Sequence, residues 1–103
     1  NIYPQEIENL LVSHPKILDV AVIGVPDEKF GEAVKAVVQA MEPDQAGPDL
    51  AAEILAYCRQ HLSAIKCPRT VDFDPALPRH ENGKLYKRLI KDRYWGRHDT
   101  RIV

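Results

Sequence analysis

The stretch "DVAVIGVPDEKFGEAVKAVVQAM", residues 19–41, decides the fold. Residues 19–25, "DVAVIGV", are apolar and β-branched, and residues 33–41, "AVKAVVQAM", are again rich in valine, with Lys35 and Gln39 on what could be one face. Between them "GVPDEKFGE", from Gly24 to Glu32, holds two glycines and a proline, the chemistry of a turn rather than of a continuing element. Two strands joined as a hairpin follow.

Upstream, Pro4 suits the first turn of a helix, and Ile7, Leu10 and Leu11 recur at helical spacing until His14-Pro15 ends the run. Downstream, the polar loop "EPDQAGPD" at 42–49 precedes an apolar stripe of Leu50, Ile54, Tyr57, Cys58, Leu62 and Ile65, which predicts the longest helix, ending before Pro68. "TVDFD" at 70–74 alternates, with Val71 and Phe73 pointing one way, and reads as a third strand. "PALPRHENG" then runs extended into an Asn82-Gly83 turn. From Lys84 onward Tyr86, Leu89, Ile90 and Tyr94 fall on one helical face, while Lys84, Lys87, Arg88 and Lys91 fall largely on the other. Residues 96–103 are expected to form a short polar, flexible tail. The order α, β-β, α, β, α predicts an α+β fold: a small three-stranded sheet with a hairpin, flanked by about three helices.

At 103 residues the chain is one small domain, and its 45% hydrophobic and 28% charged residues suit a soluble globular core. No apolar run approaches the ~18–20 residues of a membrane span, and the N-terminus has neither a basic start nor a small-residue cleavage site, so a cytoplasmic location without a transmembrane segment is expected. Cys58 and Cys67 lack the partners of a zinc knuckle or a disulfide framework and read as free thiols, and the four histidines have no metal-ligand spacing. The carboxylate pairs Glu6/Glu8 and Asp72/Asp74 read as ordinary solvated groups. No P-loop, dinucleotide fingerprint or catalytic triad is spelled out.

The net charge of −1 hides a division: residues 1–58 carry three Lys/Arg against ten Asp/Glu, and residues 59–103 carry eleven against five. A basic second half points to anionic partners or, more plainly, to a solvated charged face. Tyr86, Tyr94 and Trp95 beside that basic run leave open a nucleic-acid-binding module built on segment 79–101, against which helical spacing favours core packing.

Four stretches taken together resemble one family: "NIYPQEIENLL" at 1–11, "VIGVPDEKFGE" at 22–32, "AIKCPRTVDF" at 64–73 and "LPRHENGKLYKR" at 77–88. They are similar to the C-terminal lid domain of the AMP-forming adenylating enzymes, which include acyl-CoA synthetases, aryl-CoA ligases, luciferases and the adenylation domains of peptide synthetases. The likeness runs from residue 1 to about residue 95, and "NIYPQEIE" and "KLYKRLIKDRYW" are closer to acyl-CoA synthetases than to peptide-synthetase domains. It implies that residues 1–103 form the lid, with a hinge and a large N-terminal domain ahead of them that holds ATP with its Mg2+ and the carboxylic acid. It further implies no metal and no cofactor bound by this chain alone, no nucleic-acid partner, and no activity in the lid by itself. Two departures stand inside the match: Ile65 where the family commonly has Tyr, and His80-Glu81-Asn82 in a loop often built from Thr, Ser and Gly.

The resemblance also assigns roles. Such enzymes join the carboxylate to the α-phosphorus of ATP, expel pyrophosphate, and then pass the acyl group to the thiol of CoA. Lys84 matches the family lysine that supplies a cation to the first step, and Gly83 belongs to the loop that carries it; the plainer reading is one more solvent-facing lysine. Lys66 and Arg69 match an element that meets the phosphates of CoA in some relatives, the alternative being cationic capping of a helix C-terminus. Gly31 and Glu32 match a "GE" pair expected to face the large domain, although Gly31 also suits the hairpin turn.

Overall fold

The computed structural model of the chain describes residues 4–96. The expected tail lies outside the described residues, apart from Gly96. Strands β1 (Ile17–Asp27), β2 (Gly31–Ala40) and β3 (Thr70–Phe73) form one sheet in the order β1-β2-β3. Helices α1 (Pro4–Leu11) and α2 (Pro48–His61) cover one face, and α3 (Lys87–Trp95) lies on the other. The predicted α+β class and element order hold.

The hairpin forms as expected but is longer, because pairing continues through Pro26↔Glu32 to Asp27↔Gly31. Proline is tolerated there because β1 is an edge strand, where a missing N–H breaks no ladder bond. Gly31 closes the turn at φ 81°, a left-handed conformation that favours glycine, and Phe30 N–H donates to Asp27 Oδ2 at 2.8 Å. β3 pairs with β2 in parallel, from Lys35↔Thr70 to Val38↔Phe73. A parallel partner requires a long crossover, which residues 41–69 supply by way of α2.

Alternation along the strands sorts two cores. Val20, Val22, Ala36 and Val38 face α1 and α2, where they meet Ile7, Leu11, Ile54 and Cys58. Ala21, Ile23, Val25 and Val37 face the other way, towards Leu77 and Ile90. The same parity puts Asp19, Lys35, Gln39 and Asp72 on the α3 face, so the shared face expected for Lys35 and Gln39 is present: Lys35 pairs with Asp72 at 3.1 Å, and Gln39 Oε1 accepts from Leu77 N–H at 3.1 Å.

Two helix boundaries differ from expectation. α2 stops at His61 because Leu62 turns extended at φ −129°, ψ 156°, and Ser63 follows suit, so Ile65 drops out of the apolar stripe and stands 88% exposed on a 3₁₀ turn at Ala64–Lys66. α3 begins at Lys87 rather than Lys84, since residues 84–86 belong to a second hairpin that delays the first helical turn. Leu89 is accordingly 42% exposed, while Ile90 is fully buried.

Both cysteines are free thiols, as expected. Cys58 is fully buried, and burial, reinforced by Cys67, pushes its thiol up to about 11. The fold thus holds the neutral thiol, a contribution that is complete below the ordinary value of 9.0 and is lost as pH rises through about 11. Iodoacetamide at pH 8 is expected to modify Cys67 and spare Cys58 in the folded chain, and to modify both in urea. Equal labelling of the two thiols without denaturant, measured by mass spectrometry, would contradict this burial.

Candidate functional site

Lys84 stands at the shoulder of a short hairpin. Arg79 and Leu85 form an isolated bridge, His80 N–H donates to Lys84 C=O at 2.8 Å, and Gly83 N–H donates to His80 C=O at 2.9 Å. This bonding pattern makes Glu81-Asn82-Gly83 a three-residue loop, with Gly83 at φ 89° and Asn82 at negative φ. The turn is therefore not the two-residue Asn-Gly form, which needs positive φ at both central residues. Asn82 contributes differently, its Oδ1 accepting from Lys84 N–H at 3.1 Å. Lys84 is exposed, and its ammonium, like those of Lys29 and Lys91, meets no carboxylate among the described residues, whereas those of Lys16, Lys35, Lys66 and Lys87 each do. With His80, Glu81 and Asn82 it lines an open concavity.

The rest of the hairpin is firmly held. The His80 and Tyr86 rings stack at 4.0 Å, and Tyr86 N–H donates to Pro78 C=O at 2.9 Å. Arg79 Nη1 donates to Gly83 C=O while its Nη2 donates to Asp19 Oδ2. Just beyond, Lys87 Nζ lies 2.6 Å from Glu8 Oε2. Glu8 corrects the expectation of a solvated carboxylate: it is 8% exposed, and the same oxygen accepts from Val22 N–H at 2.8 Å. That N–H points out of the sheet's free edge, away from β2, and a buried donor there needs an acceptor.

The other expected site residues lie elsewhere. Arg69 N–H donates to Val34 C=O at 2.8 Å, and its guanidinium sits 4.6 Å from the centre of the Phe30 ring. Lys66 pairs with Glu6 at 3.1 Å. Neither caps α2, which ends at His61. Glu32 lies over Gly24, where an added Cβ would meet Glu32 Oε2 at 2.0 Å. Arg69, Gly31 and Glu32 thus gather at the tip of the β1–β2 hairpin, whereas the hairpin of Lys84 is tied through Arg79 to Asp19, near the opposite end of β1. Eight residue-to-residue steps along the strand lead from Asp19 to Asp27, roughly 26 Å at about 3.3 Å per residue.

The aromatic run next to the basic segment is engaged internally. Tyr94 OH donates to Asp72 Oδ2 at 2.7 Å, and burial, reinforced by this bond, drives its ionisation well above the usual tyrosine range, while Trp95 Nε1 donates to Gly24 C=O at 2.8 Å. Stacking on bases would require both to leave the sheet. Residues 97–101 of the segment considered for nucleic acid lie outside the described residues. No three His, Cys, Asp or Glu side chains are grouped to hold a metal among the described residues, and no helix there is long and apolar enough to cross a membrane.

The sheet thus has two helices on one face, a third on the other, and an exposed lysine on a glycine hairpin ahead of that third helix. Residues 6–84 match the AMP-binding enzyme C-terminal domain, and the chain belongs to that family. It is 38% identical over 94 residues to a long-chain-fatty-acid–CoA ligase, FadD13, of Mycobacterium tuberculosis, covering 91% of this chain and 18% of that one. It is also 38% identical over 96 residues to a fatty acid–[acyl-carrier-protein] ligase, ScoC, of Streptomyces coeruleorubidus, covering 93% of this chain and 18% of the relative. Among solved structures, an acyl-CoA synthetase of Brucella canis superposes with a TM-score of 0.85 at 33% identity, over 93% of this chain and 18% of that one. The chain spans less than a fifth of the length of these relatives.

Sequence reasoning missed Glu8, Asp19, Arg79 and Lys87 as supports of the lysine hairpin. A carboxylate one position from Ile7 on a helix gives no sign of the strand N–H that it must satisfy, so only the packed structure reveals it. Glu8→Ala would leave that donor and the Lys87 ammonium unsatisfied, at an expected cost of about 1.5–3 kcal/mol, while Glu8→Gln, which keeps an acceptor, is expected to cost less. Urea unfolding of the two variants decides: an unchanged midpoint for Glu8→Ala would show that water replaces the carboxylate.

Proposed function

We propose that this chain is the mobile C-terminal domain of an AMP-forming carboxylic acid–CoA ligase, and that Lys84 is the cation it supplies to the adenylation step. The observation that carries the reading is the pairing of exposure with rigidity at Lys84: an ammonium unneutralised by any described carboxylate, on a hairpin whose backbone is fixed on both sides. In adenylation the carboxylate oxygen attacks the α-phosphorus of ATP and pyrophosphate leaves, so negative charge gathers on the oxygens between acid and phosphate. A preorganised cation at that point lowers the barrier because the protein need not reorganise as the charge develops. Lysine suits this as a compact point charge on a long stem. ATP and CoA are the co-substrates, a large N-terminal domain is the partner that holds ATP with its Mg2+ and the acid, and a cytoplasmic setting is consistent with these ligands.

The two ends of the sheet support a division of labour. Lys84 occupies one end; Arg69, preceded by Lys66, occupies the other with Gly31 and Glu32. One active site cannot face both ends of β1 at once, so the domain turns between half-reactions, presenting Lys84 for adenylation and the hairpin-tip end for thioester formation. Lys66 and Arg69 are then the cations available to the phosphates of CoA, at the cost of loosening Lys66 from Glu6. Gly31 and Glu32 lie where the large domain would be met.

The test is a pair of assays on the full-length ligase. Lys84→Ala is expected to slow pyrophosphate release from acid plus ATP by about a hundred- to a thousandfold, roughly 3–4 kcal/mol. Thioester formation from supplied acyl-adenylate should change far less. Equal losses in both assays would make Lys84 a general electrostatic or structural residue, and a full-rate first step would remove it from the mechanism.

A further inference from the structure

Arg79 occupies the limb of the hairpin opposite Lys84, and its two terminal nitrogens do different things. Nη1 donates to Gly83 C=O, and Nη2 donates to Asp19 Oδ2. Gly83 C=O belongs to the peptide group that links Gly83 to Lys84, and the N–H of that same group donates to Asn82 Oδ1 at 3.1 Å. Both polar atoms of one planar unit are therefore held, which fixes the plane and with it the direction in which the Lys84 side chain leaves the backbone. The anchor is itself oriented: Asp19 Oδ1 accepts from Val20 N–H at 2.9 Å, and the side chain is 17% exposed. A continuous path runs from the backbone of β1 through Asp19 and Arg79 to the peptide that carries Lys84. Gly83, at φ 89°, brings flexibility to the position where a catalytic cation most needs a fixed direction, and Arg79 is the group that offsets it.

We propose that Arg79 is a positioning residue for adenylation, acting through Lys84 by clamping the Gly83–Lys84 peptide to Asp19. The proposal rests on the assignment of Lys84 to that step. The planar guanidinium suits it because two nitrogens in fixed relation reach two acceptors at once, which a single ammonium does not reproduce. A small misdirection of the lysine is enough to matter, since displacements of about 1 Å can cost on the order of a hundredfold in rate.

The experiment is a double-mutant cycle in the full-length ligase, with Arg79→Met, Lys84→Ala and the pair, each assayed for pyrophosphate release and for thioester formation from supplied acyl-adenylate. Arg79→Met is expected to slow adenylation about ten- to a hundredfold in kcat, with KM for ATP and the thioester step each within about twofold of wild type. In the Lys84→Ala background it should add nothing, because its whole effect passes through Lys84. Asp19→Asn, which leaves Arg79 in place but removes its charged anchor, enters the same cycle. It decides the matter if Arg79→Met does not fold, as judged by its thermal transition and its thioester activity. A loss that persists at full size without Lys84, or a raised KM for ATP, would make Arg79 a direct phosphate contact and overturn the positioning role. Full-rate adenylation by both Arg79→Met and Asp19→Asn, with Lys84→Ala impaired, would overturn this proposal while leaving the assignment of Lys84 standing. Full-rate adenylation by Lys84→Ala would sink both.

Discussion

Everything in this small domain depends on the free edge of β1. The strand is buried on both faces, between α1 and α2 on one side and α3 on the other, yet among the described residues its outer row of N–H and C=O groups has no neighbouring strand to pair with. Three side chains satisfy groups in this row: Asp19 Oδ1 accepts from Val20 N–H, Glu8 of α1 accepts from Val22 N–H, and Trp95 of α3 donates to Gly24 C=O. Because the Glu8 oxygen also receives Lys87, the group that caps the edge joins α1, β1 and the first turn of α3 in one place. The lysine hairpin enters α3 at that junction, so its orientation is inherited from how the edge is closed.

The charge division read in the sequence is partly used inside the molecule. Lys66 pairs with Glu6, Arg79 with Asp19, and Lys87 with Glu8, each joining the basic second half to the acidic first half. The exposed members of this set add little to stability singly, since solvent weakens them. Their effect is geometric, docking two sequence-distant halves in a single arrangement. Lys84 is exposed and without a carboxylate partner among the described residues, as is Lys29, but Lys84 stands on a hairpin whose backbone is held on both sides.

What was legible in the sequence was what local physics writes there. The β1–β2 hairpin follows from valine-rich runs around a glycine–proline turn, and α2 follows from the apolar stripe through Leu50, Ile54 and Cys58; both are present because short-range pattern and burial agree. The end of α2 was illegible because nothing in "HLSAIK" forbids another helical turn, and the break at Leu62 arises from its return to the core. The start of α3 is hidden for a related reason: helical periodicity from Lys84 onward competes with cross-strand bonds from Pro78 and His80 that only the folded hairpin supplies. Lys84 and Gly83 are singled out by resemblance to a family. Their supports, Arg79, Asp19 and Glu8, are not, because they belong to contacts between residues about 60 and 14 positions apart.

The parallel placement of β3 carries a consequence for how the chain assembles. β1 and β2 meet across a tight turn and form with little loss of chain freedom, whereas the four residues of β3 gain nothing until the long crossover through α2 has closed. Topology therefore makes the hairpin the template, and β3 a late addition whose speed is set by loop closure. The Asp72 that receives Tyr94 sits on that late strand, while Asp19 and Val22 sit on the early one. The apolar sheet residues that meet α3, Ala21, Ile23, Val25 and Val37, all belong to the hairpin, so the lysine hairpin takes its bearings from the part of the fold that topology lets form first.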